Sequence, residues 1–375
     1  LRARAWLQAR CRDAGLALRT DAVGNLFARW AGADAAAPAV ATGSHIDAIP
    51  NAGRYDGVVG VLGGLEAIRA LARAGYRPRR SIELVVFTAE EPTRFGIGCL
   101  GSRLLSGSLS ASRASTLTDA DGLSLDWWRG AAGVGGELDS VRLAPGGYAA
   151  FVELHIEQGP RLERTGVPIG VVSAIAGPSS HRVALIGEGG HAGAVLMRDR
   201  HDAGLAAAEI ALAVERAALD SASADTVGTT GVFRQGPNAV NSIPSTATLE
   251  IDFRDTRLDT RTAAWASVEA ALAEICARRG VTWTLETLNA DAPATCAPDL
   301  VDLVVDVAAT LGHRVERLVS RAYHDSLFMA QLCPTTMIFI PCRGGVSHRP
   351  DEYSSPDQIA AGAAVLAHAL ARLSE

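Results

Sequence analysis

Residues 82–87 read Ile-Glu-Leu-Val-Val-Phe, and the chain turns acidic almost at once, at Glu90-Glu91. A short run rich in β-branched and aromatic residues reads as a buried strand. Carboxylates at its exit put charge at the carboxyl end of a sheet strand, where open α/β folds gather their chemistry. The same pattern recurs. A short apolar strand over 39–43 leads into Ser44-His45-Ile46-Asp47, and a strand over 151–155 ends in His155-Ile156-Glu157-Gln158. Between the first two, residues 57–74 read as an apolar, Gly-rich helix. Strand, helix, strand with polar residues at the strand ends predicts an α/β fold.

The remaining segments divide the chain. A helix is expected over 1–14, ended by Gly15, then a short hairpin with strands at 16–19 and 25–29. Residues 106–147 are loop-rich, with a short helix at 125–129. A second unit then follows: strand 181–188, helix 199–219, strands 225–234 and 247–255, helix 262–279 and strand 281–288. That order is βαββαβ, the split ferredoxin-like arrangement. Helix 300–311, strand 337–340 and helix 356–373 return to α/β style. The expected organisation is a mixed sheet flanked by helices, built from 1–174 and 290–375 and interrupted by an inserted domain over 175–289. The chain opens on Leu1 inside a helix-like pattern, so its natural start is expected to lie upstream.

Composition narrows the function. The formal net charge is -6 and the Arg residues are scattered, which leaves no basic face for nucleic acid. No stretch of membrane-spanning length is continuously apolar, so no membrane partner is expected. The 6 Cys lie far apart without a CxxC pair and are expected to be buried free thiols.

Five segments place a metal-type side chain beside an expected strand end or loop. They carry His45 and Asp47, Asp56, Glu90 and Glu91, His155, and His348. One such residue alone is more often a solvated or hydrogen-bonded side chain. Several at the mouths of different strands make a mixed His/carboxylate set that suits zinc or manganese. An amide or ureide carbonyl is a poor electrophile, and water is a poor nucleophile at neutral pH. Paired cations about 3.5–4 Å apart address both. A carboxylate that is not a ligand must then move the proton, and adjacent Glu90 and Glu91 can divide those two tasks.

The order His45-Ile46-Asp47, Asp56-Gly57, Glu90-Glu91, His155-Ile156-Glu157-Gln158-Gly159-Pro160 and Ser347-His348-Arg349-Pro350 resembles the di-metal amidohydrolases. That family includes L-carbamoylases, allantoate amidohydrolases and related metallo-aminopeptidases, and the resemblance spans essentially the whole chain. It implies a metallo-aminopeptidase-like catalytic domain, with the inserted domain serving dimerisation or as a lid. It implies two divalent ions per subunit, manganese favoured and zinc compatible. Asp56 then bridges the ions, His45 and His155 complete one site, and Glu91 and His348 the other. Asp47 orients His45, and Glu90 is the general base. His191, in Gly189-Gly190-His191-Ala192-Gly193, is implied to reach the partner subunit's active site and donate to the oxyanion. Gln158, Asn241 and Arg254 are implied to hold substrate, Arg254 as a bidentate carboxylate clamp. Residues acting across subunits imply a homodimer.

Within the family, four strings resemble the plant-type ureidoglycolate amidohydrolase branch. They are Glu91-Pro92-Thr93-Arg94-Phe95-Gly96-Ile97, Gly190-His191-Ala192-Gly193-Ala194-Val195-Leu196-Met197, Ser320-Arg321-Ala322-Tyr323-His324-Asp325-Ser326-Leu327-Phe328-Met329 and Glu352-Tyr353-Ser354-Ser355-Pro356. Carbamoylases and allantoate enzymes usually carry Gly-Ala-Gly-His-Asp-Ala at the third string. Arg321 and Tyr323 replace its two glycines, and a phenol beside His324 would shrink the pocket to fit a short, polar ureido acid. The rivals are an allantoate amidohydrolase, an N-carbamoyl-L-amino-acid hydrolase, or a non-catalytic binding protein on the same scaffold. Gly96-Ile97-Gly98-Cys99-Leu100-Gly101 also spells GxGxxG, a weak dinucleotide signal because Glu90-Glu91 and Arg94 separate it from the strand.

Overall fold

The structure is a computed structural model and describes residues 2–375. The expected first helix is seen as Arg2–Asp13, and Leu1 lies outside the described residues. The chain forms two compact units: one runs through Ala174 and resumes at Thr295, and the other is Ile175–Ala294.

The first unit is built on a mixed sheet. Across it run Ala17–Thr20, Leu26–Trp30, Ile82–Phe87, Ala39–His45, Tyr148–Ile156, Thr335–Ile340 and Ile169–Ile175. Ala39–His45 lies parallel to both Ile82–Phe87 and Tyr148–Ile156, and Tyr148–Ile156 is parallel to Thr335–Ile340. These neighbouring strands therefore end on one side, and His45, the Glu90-Glu91 turn and His155 emerge there together. Alternation along a strand sends side chains to opposite faces. Phe151 joins Val85, Phe87, Leu100, Leu104 and Met329 in a buried cluster on one face. Leu154 points the other way, toward the helices Val58–Arg73 and Pro356–Leu373.

Two strands of this sheet, Ile169–Ile175 and Val315–Ser320, are absent from the sequence reading. Val315–Ser320 reads Val-Glu-Arg-Leu-Val-Ser, a half-exposed strand whose ion pairs Arg161–Glu316 and Arg317–Asp302 account for its charge. The short helices Leu100–Ser106 and Asp325–Met329 were also unread, being too brief for a periodicity signal.

The second unit has the order strand Gly177–Ile186, helix Ala203–Leu219, strands Val227–Gly236 and Thr246–Asp255, helix Leu258–Arg279 and strand Thr282–Ala290. Its sheet runs Thr282–Ala290, Gly177–Ile186, Thr246–Asp255, Val227–Gly236, with every neighbouring pair antiparallel. The helix expected from 199 starts instead at Ala203, because the Asp202 carboxylate accepts from Leu205 N at 3.0 Å and caps it. Both helices cover one face of the sheet, around Val183, Leu249, Phe253, Val214 and Val268.

Candidate active site

The site is assembled at the strand ends of the first unit. His45 closes the strand Ala39–His45 and is 1% exposed, and His155, near the end of Tyr148–Ile156, is 0% exposed. Each ring is fixed through Nδ1 by a backbone carbonyl: His45 by Asp47 O at 3.0 Å, His155 by Ile156 O at 2.9 Å. A carbonyl can only accept, so Nδ1 carries the proton and Nε2 presents a lone pair. Both Nε2 atoms face the same oxygen, Asp56 Oδ1, at 3.5 Å from His45 and 3.2 Å from His155. The other oxygen, Asp56 Oδ2, faces His348 Nε2 at 3.3 Å, and His348 Nε2 faces Glu91 Oε1 at 3.5 Å. Asp56 thus stands between two ligand sets, His45–Asp56–His155 and Asp56–Glu91–His348.

These residues fit a pair of cations. Ligands about 2.1 Å from one ion and tetrahedrally disposed sit about 3.4 Å apart, close to the separations here. Glu91 Oε1 is buried with no hydrogen-bond partner, a costly state for a carboxylate oxygen unless a cation accounts for it. Burial alone would push the Asp56 carboxyl up, but without an ion between them the imidazoles of His155, His348 and His45 carry an Nε2 proton as well, and their hydrogen bonds bring it well below the usual carboxylate range. A bound ion would displace those protons and meet the Nε2 lone pairs.

Glu90 belongs to neither set. It is 7% exposed, its Oε2 lies 3.6 Å from His45 Nε2, and its Oε1 accepts from the Cys99 thiol at 3.4 Å. Burial raises its pKa well above the ordinary value, against the pull of His45 and with further help from Asp325, Glu91 and Asp56. A carboxylate raised in this way, next to paired ligand sets, is suited to taking up and returning a proton.

Asp47 acts differently from the expectation. Its carboxylate is 3.8 Å from His45 Nδ1, and it is the backbone carbonyl of Asp47 that holds the ring. The carboxylate instead accepts from Glu90 N at 3.3 Å and Glu91 N at 3.0 Å, fixing the turn that carries both glutamates. The short Ile46 linkage brings the carbonyl, not the side chain, within reach of the imidazole.

Gln158 donates through Nε2 to Asp56 Oδ2 at 2.8 Å, while its Oε1 is buried without a partner. His324 is 2% exposed, bonds Ser320 Oγ through Nε2 at 3.0 Å, and packs edge-on against His155, ring centroids 4.5 Å apart. Glu153, His155 and His324 also bring possible ligand atoms close together. Glu153 is already taken by Ser44 Oγ at 2.7 Å and Ser326 Oγ at 2.5 Å, so it supports the site from below. Tyr323 directs its hydroxyl at the loop after Glu90: a Cβ at Gly98 would lie 2.2 Å from it.

The GxGxxG string makes no phosphate cradle. Cys99 N, Leu100 N and Gly101 N donate to Glu90 O, Ala89 O and Thr88 O, which ties these amides to the strand exit. The dinucleotide reading is therefore excluded for this loop.

His191, Asn241 and Arg254 belong to the second unit. His191 is exposed, pairs with Ser242, and accepts from Gly193 N on Nδ1 at 3.1 Å, so its Nε2 carries a proton to donate. Asn241 is its neighbour, its carbonyl accepting from Ala192 N at 2.9 Å. Arg254 is gripped by Asp252, with Nε to Oδ1 at 2.6 Å and an Nη to Oδ2 at 3.1 Å.

A model of the Peptidase family M20/M25/M40 matches residues 41–372. The chain belongs to that family. Among M20/M25/M40 relatives, it is 51% identical to a ureidoglycolate hydrolase of Oryza sativa subsp. japonica, over 100% of this chain and 78% of that protein. It is 52% identical to a ureidoglycolate hydrolase of Arabidopsis thaliana, over 96% of this chain and 77% of that one. The crystal structure of AtUAH in complex with (S)-hydroxyglycine superposes with a TM-score of 0.90 at 50% identity, covering 99% of this chain and 90% of that one.

Sequence reasoning missed Glu352 and Ser347 as parts of this M20/M25/M40 site. Glu352 was visible only as a letter in a branch-specific string, and its bonds from Tyr55 N and Asp56 N join residues far apart in the chain.

Proposed function

We propose that this chain hydrolyses the ureido C–N bond of (S)-ureidoglycolate with two divalent cations, manganese favoured and zinc the alternative. The observation that carries the metal-assisted chemistry is the two-sided carboxylate of Asp56, with Glu90 beside it as a non-ligand. His45, Asp56 and His155 would hold one ion, and Asp56, Glu91 and His348 the other. Such a pair acidifies water and stabilises negative charge developing on a carbonyl oxygen.

The chain's own groups do the rest. Glu90 takes the proton of the attacking water and passes it to the leaving nitrogen. The products are carbamate, which decays to ammonia and carbon dioxide, and hydroxyglycine, which loses ammonia to give glyoxylate. The substrate assignment is supported by the ureidoglycolate hydrolases at about half identity, and by the similar structure that holds (S)-hydroxyglycine, the fragment left when the carbamoyl group departs. Tyr323 supports it further. Its phenol occupies space beside Gly98 that a glycine at 323 would leave open, and this favours a short acid over one bearing a side chain.

The second unit supports a homodimer. His191 and Asn241 lie beyond the Thr246 end of the strand Thr246–Asp255, while Arg254 sits near its other end. A strand rises about 3.3 Å per residue, which separates Arg254 from that pair by about 26 Å. One carboxylate cannot be held by Asn241 and Arg254 of the same chain. If both serve one substrate, Arg254 comes from one subunit and the His191–Asn241 pair from its partner.

The test is ammonia release from (S)-ureidoglycolate, allantoate and N-carbamoyl-L-amino acids by manganese-loaded protein. Ureidoglycolate is expected to show the highest kcat/KM. Faster turnover of either competitor overturns the substrate assignment.

A further inference from the structure

Glu352 is 4% exposed and stands outside both ligand sets, yet it touches both loops that carry the less rigid ligands. Its Oε1 accepts from Tyr55 N at 2.8 Å and from Asp56 N at 3.1 Å. Its Oε2 accepts from Ser347 Oγ at 2.8 Å, and the same hydroxyl lies 2.8 Å from Asp56 Oδ2. One side chain therefore links the backbone under the bridging carboxylate to the residue preceding His348. The loop before Asp56 closes tightly on it: a Cβ at Gly53 would lie 2.2 Å from Glu352 Oε1. Glu352 is itself anchored, because Arg343 N donates to Tyr353 O at 2.8 Å and Ser354 Oγ donates to Pro341 O at 2.7 Å, at the end of a central strand.

The two ligand sets differ in how they are supported. His45 and His155 are carried by sheet strands and locked through Nδ1 by backbone carbonyls. His348 lies on a loop, half exposed and with a φ of 59°, so its place depends on what holds that loop. We propose that Glu352 is a positioning residue that fixes the His348 loop against the Asp56 loop and so controls retention of the cation at Asp56–Glu91–His348 selectively over the one at His45–Asp56–His155. It acts through Ser347 and two backbone amides and touches no reacting atom. Groups of this kind, one step removed from a metal, typically change its affinity by about 10–100-fold.

This inference rests on the two-cation reading, and the experiment separates the two. Metal-depleted protein is titrated with manganese by equilibrium dialysis and elemental analysis, for the wild type, Glu352→Ala and Glu352→Gln, with circular dichroism and a thermal melt as fold controls. If the wild type does not bind two ions, the two-cation reading fails first, and the inference with it. If it does, Glu352→Ala is expected to keep the tighter ion within about threefold and to bind the weaker one about 10–100-fold less well. Glu352→Gln is expected to restore most of that affinity, since its amide oxygen can still accept from Tyr55 N and Asp56 N while its NH2 meets Ser347 Oγ. Activity of Glu352→Ala should return at high manganese with kcat near wild type. Two wild-type affinities in Glu352→Ala, equal loss of both ions, or a kcat that saturating manganese does not recover would each overturn the proposal. If Glu352→Ala does not fold, Ser347→Ala takes its place: it removes the hydroxyl link alone, and unchanged affinity for the weaker ion in that variant overturns the proposal.

Discussion

Replacing Gly57 by alanine strikes the site without substituting a ligand. Gly57 has φ 64° and ψ −45°, and Val58 N donates to Asp56 O at 2.6 Å across it. That is a tight three-residue turn of the positive-φ kind, which costs an L-residue about 1–3 kcal/mol. A Cβ at this position would also lie 2.4 Å from His45 Nε2 and 2.5 Å from its two neighbouring carbons. Ordinary contact begins near 3.4 Å, so the ring must retreat by about 1 Å, whereas metal–ligand distances tolerate about 0.2 Å. The His45–Asp56–His155 ion should therefore be lost, or held at least about 10–100-fold more weakly, with the other set less affected. The assay is manganese stoichiometry by elemental analysis on protein whose circular dichroism matches wild type. A Gly57→Ala protein that keeps both ions and a kcat within threefold of wild type would refute the reasoning.

Three further outcomes follow from named contacts. Glu90→Gln should bind metal normally but lose about 10²–10⁴-fold in kcat; loss of metal instead would make Glu90 a ligand. His181 stacks on Trp265 with ring centroids 3.6 Å apart, and its Nε2 is buried without a hydrogen-bond partner. Burial pushes its imidazole down to about 4, with Arg261 adding to the effect and Asp252 opposing it. A folded pKa below the unfolded one means that the unfolded chain binds the extra proton first. This stability is complete above about pH 6.5 and is lost as pH falls toward 4, by about 2 kcal/mol after solvent screening. His181→Phe should flatten the urea-unfolding dependence in that window, and an unchanged slope would contradict this. Ser355 and Gln358 form a reciprocal cap on the helix Pro356–Leu373. Ser355→Ala should cost about 1 kcal/mol and lower Tm by about 2–4 °C, and an unchanged melt would show that the cap contributes nothing.

The parts of this site legible in the sequence are those that local pattern encodes. Apolar strands that stop at His45, at Glu90-Glu91 and at His155 announce their own exits, and parallel pairing of those strands brings the exits together. The βαββαβ order likewise follows from changes of period along the second unit. What sequence could not give is which atoms meet across the fold. Glu352 and Asp56 are 296 residues apart, and nothing local to either indicates the bond between them. Asp47 was recognised as a supporting residue, but whether its carbonyl or its carboxylate reaches His45 depends on backbone geometry. The separation of Arg254 from Asn241 needed the sheet register, since 13 residues can span a turn or a whole strand. Val315–Ser320 was missed because its charged residues are matched by ion pairs that only tertiary structure supplies.

The central claim is that Asp56 divides its two oxygens between two cations. Crystals of the manganese-loaded protein, measured on either side of the manganese absorption edge, test it most directly. The account predicts paired anomalous peaks flanking Asp56, one beside His45 and His155 and the other beside Glu91 and His348, with Glu90 coordinating neither. A single peak, or peaks away from Asp56, would contradict it.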